Sequence, residues 1–362
     1  MDNIFLWIAI TLGAMVGLVS VVGIVSIYLE RKISAFMQDR LGPMEVGFGS
    51  LVNAIAGKEV LREGRIGLAQ SLADGLKLLQ KEDIIPDGAD KFLFKLAPMI
   101  VFAGTFSTFA ALPLAEYFIP ADVNIGLFYI LAISSFGVSG ILMAGWSSNN
   151  KWGLLGSLRS TAQMVSYEIP VGVSLVSIVM LTGTLSMKGI VVAQEGWFWN
   201  WHLFGAVGHH GLIGFVLLPM MVINFIAYFI GSLAETNRAP FDIPEAESEL
   251  VAGYHTEYTG MRFAIFFLAE YGAIFVGNAI AVALFLGGWY SGIPAIDQAN
   301  IPGIAPLVFI LKTFVLIFVV MWIRWTLPRL RVDQLMTLCW KYLIPFTLFT
   351  FFSVAIYKVF IV

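Results

Sequence analysis

The sequence predicts an all-α polytopic membrane protein, with about eight transmembrane helices plus an amphipathic helix on the cytoplasmic side. Three observations carry that reading. Apolar residues make up 59% of the 362-residue chain and the mean hydropathy is +0.85, above the roughly 45–50% apolar share of soluble domains. Runs of about 20 apolar residues, each able to cross a bilayer, recur along the whole length. The charged residues, only 12% of the chain, gather mainly between those runs.

The runs place spans at 4–29, 96–118, 125–147, 160–186, 212–233, 262–286, 304–326 and 342–361. They use up most of the chain, so residues 1–362 read as a single transmembrane domain. The first span is too long for a signal-peptide core and lacks the positive region that precedes one. Of the 21 Lys and Arg, 18 lie in or beside the loops after spans 1, 3, 5 and 7. Lys188 and Lys358 fall on the other side, and Lys312 lies inside span 7. The positive-inside rule then turns both termini outward and puts the odd loops in the cytoplasm. A bacterial inner (plasma) membrane, with periplasmic termini, is the expected location.

The first cytoplasmic loop, 30–95, is long and basic. Within 67–82, Leu68, Leu72, Leu76 and Leu79 share one helical face, and Gln70, Asp74, Lys77 and Lys81 the opposite one. That pattern predicts a helix lying along the membrane surface or packed on the bundle. The largest outer loop, 189–211, carries Trp197, Trp199 and Trp201, suited to the membrane interface. No internal repeat is evident.

Charges inside spans come next, because a membrane-embedded ionisable group must be answered by a partner or by water. Glu168 stands two residues before Pro170 in span 4, and that proline frees the carbonyl of Ser166. Glu270 lies about two turns into span 6, Lys312 at a similar depth in span 7, and Arg159 near the start of span 4. Each is a functional candidate or part of a fixed salt bridge that only holds the bundle. The stretch 234–271 adds seven carboxylates against two arginines: Glu235, Asp242, Glu245, Glu247, Glu249, Glu257 and Glu270 beside Arg238 and Arg262. A helix starting at Pro244 accounts for Glu245 and Glu247 as residues near its positive end. Capping does not account for all seven, and an acidic cluster at the root of membrane helices points to proton handling or an ion route.

Other chemistries are excluded. The single Cys339 rules out an internal disulfide and a cysteine-ligated iron–sulfur cluster supplied by this chain alone. The four histidines lack zinc-site spacing, and no metal site is expected. No phosphate-binding or dinucleotide-binding glycine pattern is present. Electrons are not expected to travel through this chain.

Four motifs carry a resemblance: ERKISAFMQDRLGP at 30–43, LADGLKLLQKEDIIP at 72–86, QMVSYEIPVG at 163–172, and the acid-rich run from AETNRAPFD to FFLAEY at 234–271. In this order they resemble the family of the H membrane subunit of NADH-quinone oxidoreductase, respiratory complex I. The resemblance extends from the first span to the C-terminus. It implies a subunit that forms the quinone-binding chamber and couples quinone reduction to proton pumping through buried carboxylates. It implies no cofactor bound by this chain, with quinone as substrate and FMN and iron–sulfur clusters in partner subunits. The partners implied are the peripheral-arm subunits at the quinone site, small and antiporter-like membrane subunits, lipid and quinone, with no nucleic acid. By matching position, Arg31, Arg40, Asp74 and Lys77 frame the quinone entrance and its docking surface, with Glu235 and Asp242 assigned to the same chamber. Glu245, Glu247, Glu249 and Glu257 continue the acidic loop below the headgroup, and Glu168 and Glu270 carry the proton path into the membrane.

One departure stands out. The family usually continues Asn-Arg after Gly-Pro, whereas here Met44 and Glu45 follow Pro43, and the insertion at about 45–66 adds roughly seventeen residues. It is a docking loop or a tolerated surface elaboration. Three other readings stay open: the membrane subunit of a related energy-converting hydrogenase, a free-standing proton-coupled transporter, and a structural anchor.

Overall fold

A computed structural model describes residues 2–44, 46–47, 67–205, 214–244, 247–298, 301 and 303–360. Most of the first-loop insertion, Glu45 and 48–66, lies outside them, as do His209, His210 and Glu245. Among the described residues eight helices are long and apolar enough to cross a membrane.

The first helix, α1 (Asp2–Met37), outruns its predicted span by two turns. Its apolar run ends near Leu29, but nothing in Glu30 to Met37 breaks a helix, so the chain leaves the apolar layer while still helical. The amphipathic helix α2 (Gln70–Gln80) follows. Then come α3 (Lys91–Thr108), started by Asp90, whose carboxylate accepts the N–H groups of Phe92 and Leu93, and α4 (Gly126–Ser147). Span 2 stops ten residues earlier than the hydropathy suggested: α3 tightens into the 3-10 turn Phe109–Ala111, and Pro113 follows. By contrast α5 (Lys151–Thr182) begins nine residues before its predicted span. Asn150 caps it by accepting from the Trp152 N–H at 2.9 Å, and Gly183 ends it in the left-handed conformation.

The remaining spans are α6 (Gly214–Glu235), α7 (Gly260–Phe285), α8 (Ile304–Thr326) and α9 (Ile344–Phe360). A turn of helix, Val332–Thr337, and a π-turn, Leu338–Leu343, lead into α9 without a break. Small residues let neighbours approach closely, the usual device for packing helices in lipid. A Cβ on Gly140 of α4 would come 2.4 Å from Val101 of α3, and one on Gly145 would come 2.6 Å from the Gly153 carbonyl of α5.

Helix α7 is the central one. Inside the fold 67% of its apolar window is buried, against 28% for the windows of α1 and α8. It packs on α1, α3, α6 and α8, and α2 crosses over α1 and α7. This central position makes α7 the wall between the two cavities described next.

Candidate functional site

A cleft of about 730 Å³ lies between α1, α2 and α7. Its walls are mostly apolar, with Gly23 and Ile27 from α1, Leu72 and Leu76 from α2, and Ala264 and Phe267 from α7. Arg31 and Asp74 also line it and form an ion pair across it, and Lys77 completes that edge. Gln70 helps to hold Asp74, donating to its carboxylate at 3.2 Å. The two faces of α2 are used differently from a simple core-facing helix. Ser71 is its buried residue, while Leu76 and Leu79 are 44% and 61% exposed. Their apolar surface is thereby left for lipid or for an apolar molecule in the cleft.

Behind the cleft, where α1, α7 and α8 meet, lies a buried ionic cluster. Glu30, 8% exposed, accepts from Arg238 Nη1 at 3.1 and 3.3 Å and from the Tyr271 hydroxyl at 2.6 Å. Arg324 also donates to Glu30. The other edge of Arg238 reaches Glu270, Nε to Oε1, at 2.6 Å. The guanidinium lies 4.6 Å from the centre of the Tyr271 ring. Two carboxylates thus meet two guanidinium groups, which is how such charges tolerate burial.

Local structure places Arg238 there. Helix α6 ends at Glu235, and Asn237 then turns the chain with a φ of 51°, a left-handed conformation that asparagine accepts readily. The buried Gln163 of α5 grips that turn, its Nε2 donating to the carbonyls of Ala234 at 2.7 Å and Phe241 at 2.9 Å and to Asn237 Oδ1 at 3.2 Å.

On the far side of α7 is an interior cavity of about 110 Å³. Glu235 and Glu270 line it, with Thr105, Tyr228, Ser232 and Asn237 among the polar groups around them. A water needs roughly 10–15 Å³ and two to four polar partners, so several waters fit here. Glu168 on α5 is not among the residues that line this cavity. Its Oε1 makes no hydrogen bond among the described residues. Helix α7 therefore turns Phe263, Ala264, Phe267 and Leu268 to the cleft and Phe266, Ala269, Glu270 and Ala273 to the cavity.

Comparison with known proteins identifies the family. A family model described as NADH dehydrogenase matches residues 9–355. The chain is 54% identical over 341 residues to the H subunit of the Chlorobaculum tepidum NADH-quinone oxidoreductase, covering 92% of this chain and 87% of that protein. It is 45% identical over 348 residues to the H subunit from Phocaeicola vulgatus, covering 94% and 88%. For that of Anaeromyxobacter dehalogenans the identity is 44% over 355 residues, covering 94% and 79%. The chain belongs to the H-subunit family of NADH-quinone oxidoreductase. It is a membrane subunit of that complex, and the other subunits of NADH-quinone oxidoreductase are its partners.

Within this H-subunit frame, the remaining residues selected from the sequence fall into groups. Arg31, Asp74 and Lys77 line the cleft, while Arg40 is exposed beyond the end of α1. Glu235 and Glu270 face the interior cavity rather than the cleft. Asp242 is buried and pairs with Arg329 at 3.0 Å. Glu249 pairs with Arg159 at 2.7 Å and Glu257 accepts from Asn150 at 2.6 Å, so both tie the connection before α7 to the start of α5. Neither lines the interior cavity. Glu245 and the Glu247 side chain lie outside the described residues; the helix there is the single turn Glu247–Leu250. Nearby Tyr258 stacks on Phe94 with ring centres 4.1 Å apart, and burial pushes its phenol up to about 12, so it stays protonated at neutral pH. Among the described residues no three His, Cys, Asp or Glu side chains gather as a metal site.

The sequence alone did not select Glu30, Tyr271, Arg324 or Gln163 as site residues. Glu30 follows an apolar run and precedes Arg31 and Lys32, so it reads as an interfacial flank. Arg324 reads as one more cation of the inner loops.

Among the described residues Lys312 is held by backbone carbonyls rather than by a salt bridge. Its ammonium donates to the carbonyls of Leu286 at 2.6 Å, Gly288 at 3.3 Å and Tyr290 at 2.6 Å, and sits 4.0 Å from the centre of the Trp201 ring. It closes the open carbonyls after α7. Lys312→Met should lower the melting temperature of the complex, because buried acceptors lose a charged donor worth about 1.5–3 kcal/mol per bond. Turnover per assembled complex should stay unchanged. Loss of turnover at full stability would show instead that Lys312 takes part in the reaction.

Proposed function

We propose that this protein forms the quinone-binding chamber of the complex and couples quinone reduction to proton pumping through its buried carboxylates. The observation that carries the reading is the two-faced α7, with an apolar cleft on one side, a polar cavity on the other and the Glu30–Arg238–Glu270 cluster between them. An isoprenoid tail needs an apolar corridor open toward lipid, and the exposed leucines of α2 supply one wall. Reduction of a quinone takes up two electrons and two protons. The electrons arrive from the flavin and iron–sulfur clusters of partner subunits. The negative charge they bring acts on the nearest ionic groups, and carboxylates that share a site respond together. Glu270, paired with Arg238 and facing the cavity, passes that change to Glu235 and Glu168. The cation-rich end, where this cluster sits, faces the cytoplasm.

Ala264→Trp tests the chamber. An indole filling the corridor costs about 1–3 kcal/mol of tail binding, so the KM for a long-tailed quinone should rise about ten-fold. NADH reduction of a water-soluble acceptor by the same complex should not change. An unchanged KM for the long-tailed quinone in the assembled variant refutes the chamber. Hydrogen evolution in place of quinone reduction by such membranes would favour the hydrogenase reading.

A further inference from the structure

Helix α5 and the last span each carry a proline that interrupts the helical ladder, and the two interruptions meet. Pro170 has no N–H to offer the carbonyl of Ser166. That carbonyl accepts instead from the Cys339 thiol at 3.1 Å. In the last span Pro345 likewise leaves the carbonyl of Lys341 without its usual donor, and the π-turn Leu338–Leu343 comes just before it. Turns of this kind recur at functional sites. Cys339 stands within the π-turn, wholly buried against α5. Close by, the Tyr167 hydroxyl donates to the Leu335 carbonyl at 3.0 Å. Ser166 and Tyr167 are thus both pinned to the last span, and Glu168 is the next residue. With Glu168 Oε1 making no hydrogen bond among the described residues, the backbone beneath it sets where the carboxylate points.

We propose that Cys339 is a positioning residue for Glu168, its thiol–carbonyl bond fixing the α5 backbone at Ser166 and with it the placement of the Glu168 carboxylate. This rests on the proton-route reading given above. The thiol does not touch the reacting groups; it acts only through the α5 backbone.

The test uses the intact complex with Cys339→Ala and Cys339→Ser. Serine keeps an O–H donor at this point, and alanine removes it. The readouts are coupled turnover and the infrared carboxyl band of Glu168, assigned by subtraction against Glu168→Gln. Cys339→Ala should move the band and lower coupled turnover about ten-fold, since misplacing a reacting group by about 1 Å costs up to about a hundred-fold. Cys339→Ser should restore both. A wild-type band and turnover in Cys339→Ala overturn the proposal. So does a serine variant as altered as the alanine one, because lost volume rather than the lost bond is then the cause. If Glu168→Gln and Glu270→Gln both pump normally, the proton-route reading falls by itself, and the infrared band alone decides the positioning role.

Discussion

Arg238→Met should prevent accumulation of the assembled complex, and the little that assembles should not couple quinone reduction to pumping. The guanidinium holds two carboxylates at once, Glu270 through Nε and Glu30 through Nη1. Removing it leaves Glu30 with Arg324 and the Tyr271 hydroxyl and strips Glu270 of this ion pair. Breaking one side of a buried ionic pair costs about 3–5 kcal/mol, a large part of the stability of most domains. Arg238→Lys should recover only part of the loss, because a single ammonium cannot offer two edges to two separated carboxylates. Adding Glu270→Gln to Arg238→Met should regain some assembly, since it neutralises the carboxylate whose ion pair with Arg238 is gone. Native gels of membranes and thermal unfolding of the purified complex measure these effects. Wild-type amounts of an equally stable Arg238→Met complex would show that the cluster is not a structural keystone.

Glu168→Gln and Glu270→Gln should each bring proton pumping down to the level of uncoupled membranes while NADH still reduces the clusters. The two variants separate causes that one alone would mix. Glu270 belongs to the ionic cluster, so its glutamine form also weakens Arg238 and should lower the melting temperature. Glu168 makes no ion pair among the described residues, so its glutamine form should leave stability intact and remove only the titrating group. Pumping followed with a pH-sensitive dye in inverted vesicles, alongside the optical signal of cluster reduction by NADH, reads both. Normal pumping in the two variants would sink the proton-path reading.

The spans were legible because each is announced by its own 20 or so residues, and the helix at 67–82 because its period is local. Where the ends differ, the cause lies outside hydropathy. Helix α5 starts early at the Asn150 cap, in a stretch whose Lys151, Ser157 and Arg159 lower the apolar signal. Span 2 ends early at the turn before Pro113. The ionic cluster was not legible, since Glu30 meets partners 208 and 294 residues away. Nothing near Glu30 in the chain marks that. The acids of 234–271 share one stretch of sequence, yet Glu270 joins the cluster while Glu249 and Glu257 tie down the start of α5. A run of like residues reports composition, and only the packing divides it into separate jobs. Lys312 shows the same limit: its three carbonyl partners are backbone atoms, which carry no sequence signature.

The separation of Glu30 from its partners also sets a timetable for biosynthesis. Glu30 follows the first span out of the ribosome, and Arg238 follows 208 residues later. At roughly 5–20 residues per second that interval is on the order of 10–40 s, and Arg324 comes later still. Until then the acid has to stay near the membrane surface, in reach of water. The first-made helix therefore settles to its final depth among the last, once the seventh has been inserted. A chain released before that point keeps an unanswered acid at the end of its first span, a chemical mark that distinguishes unfinished copies from finished ones.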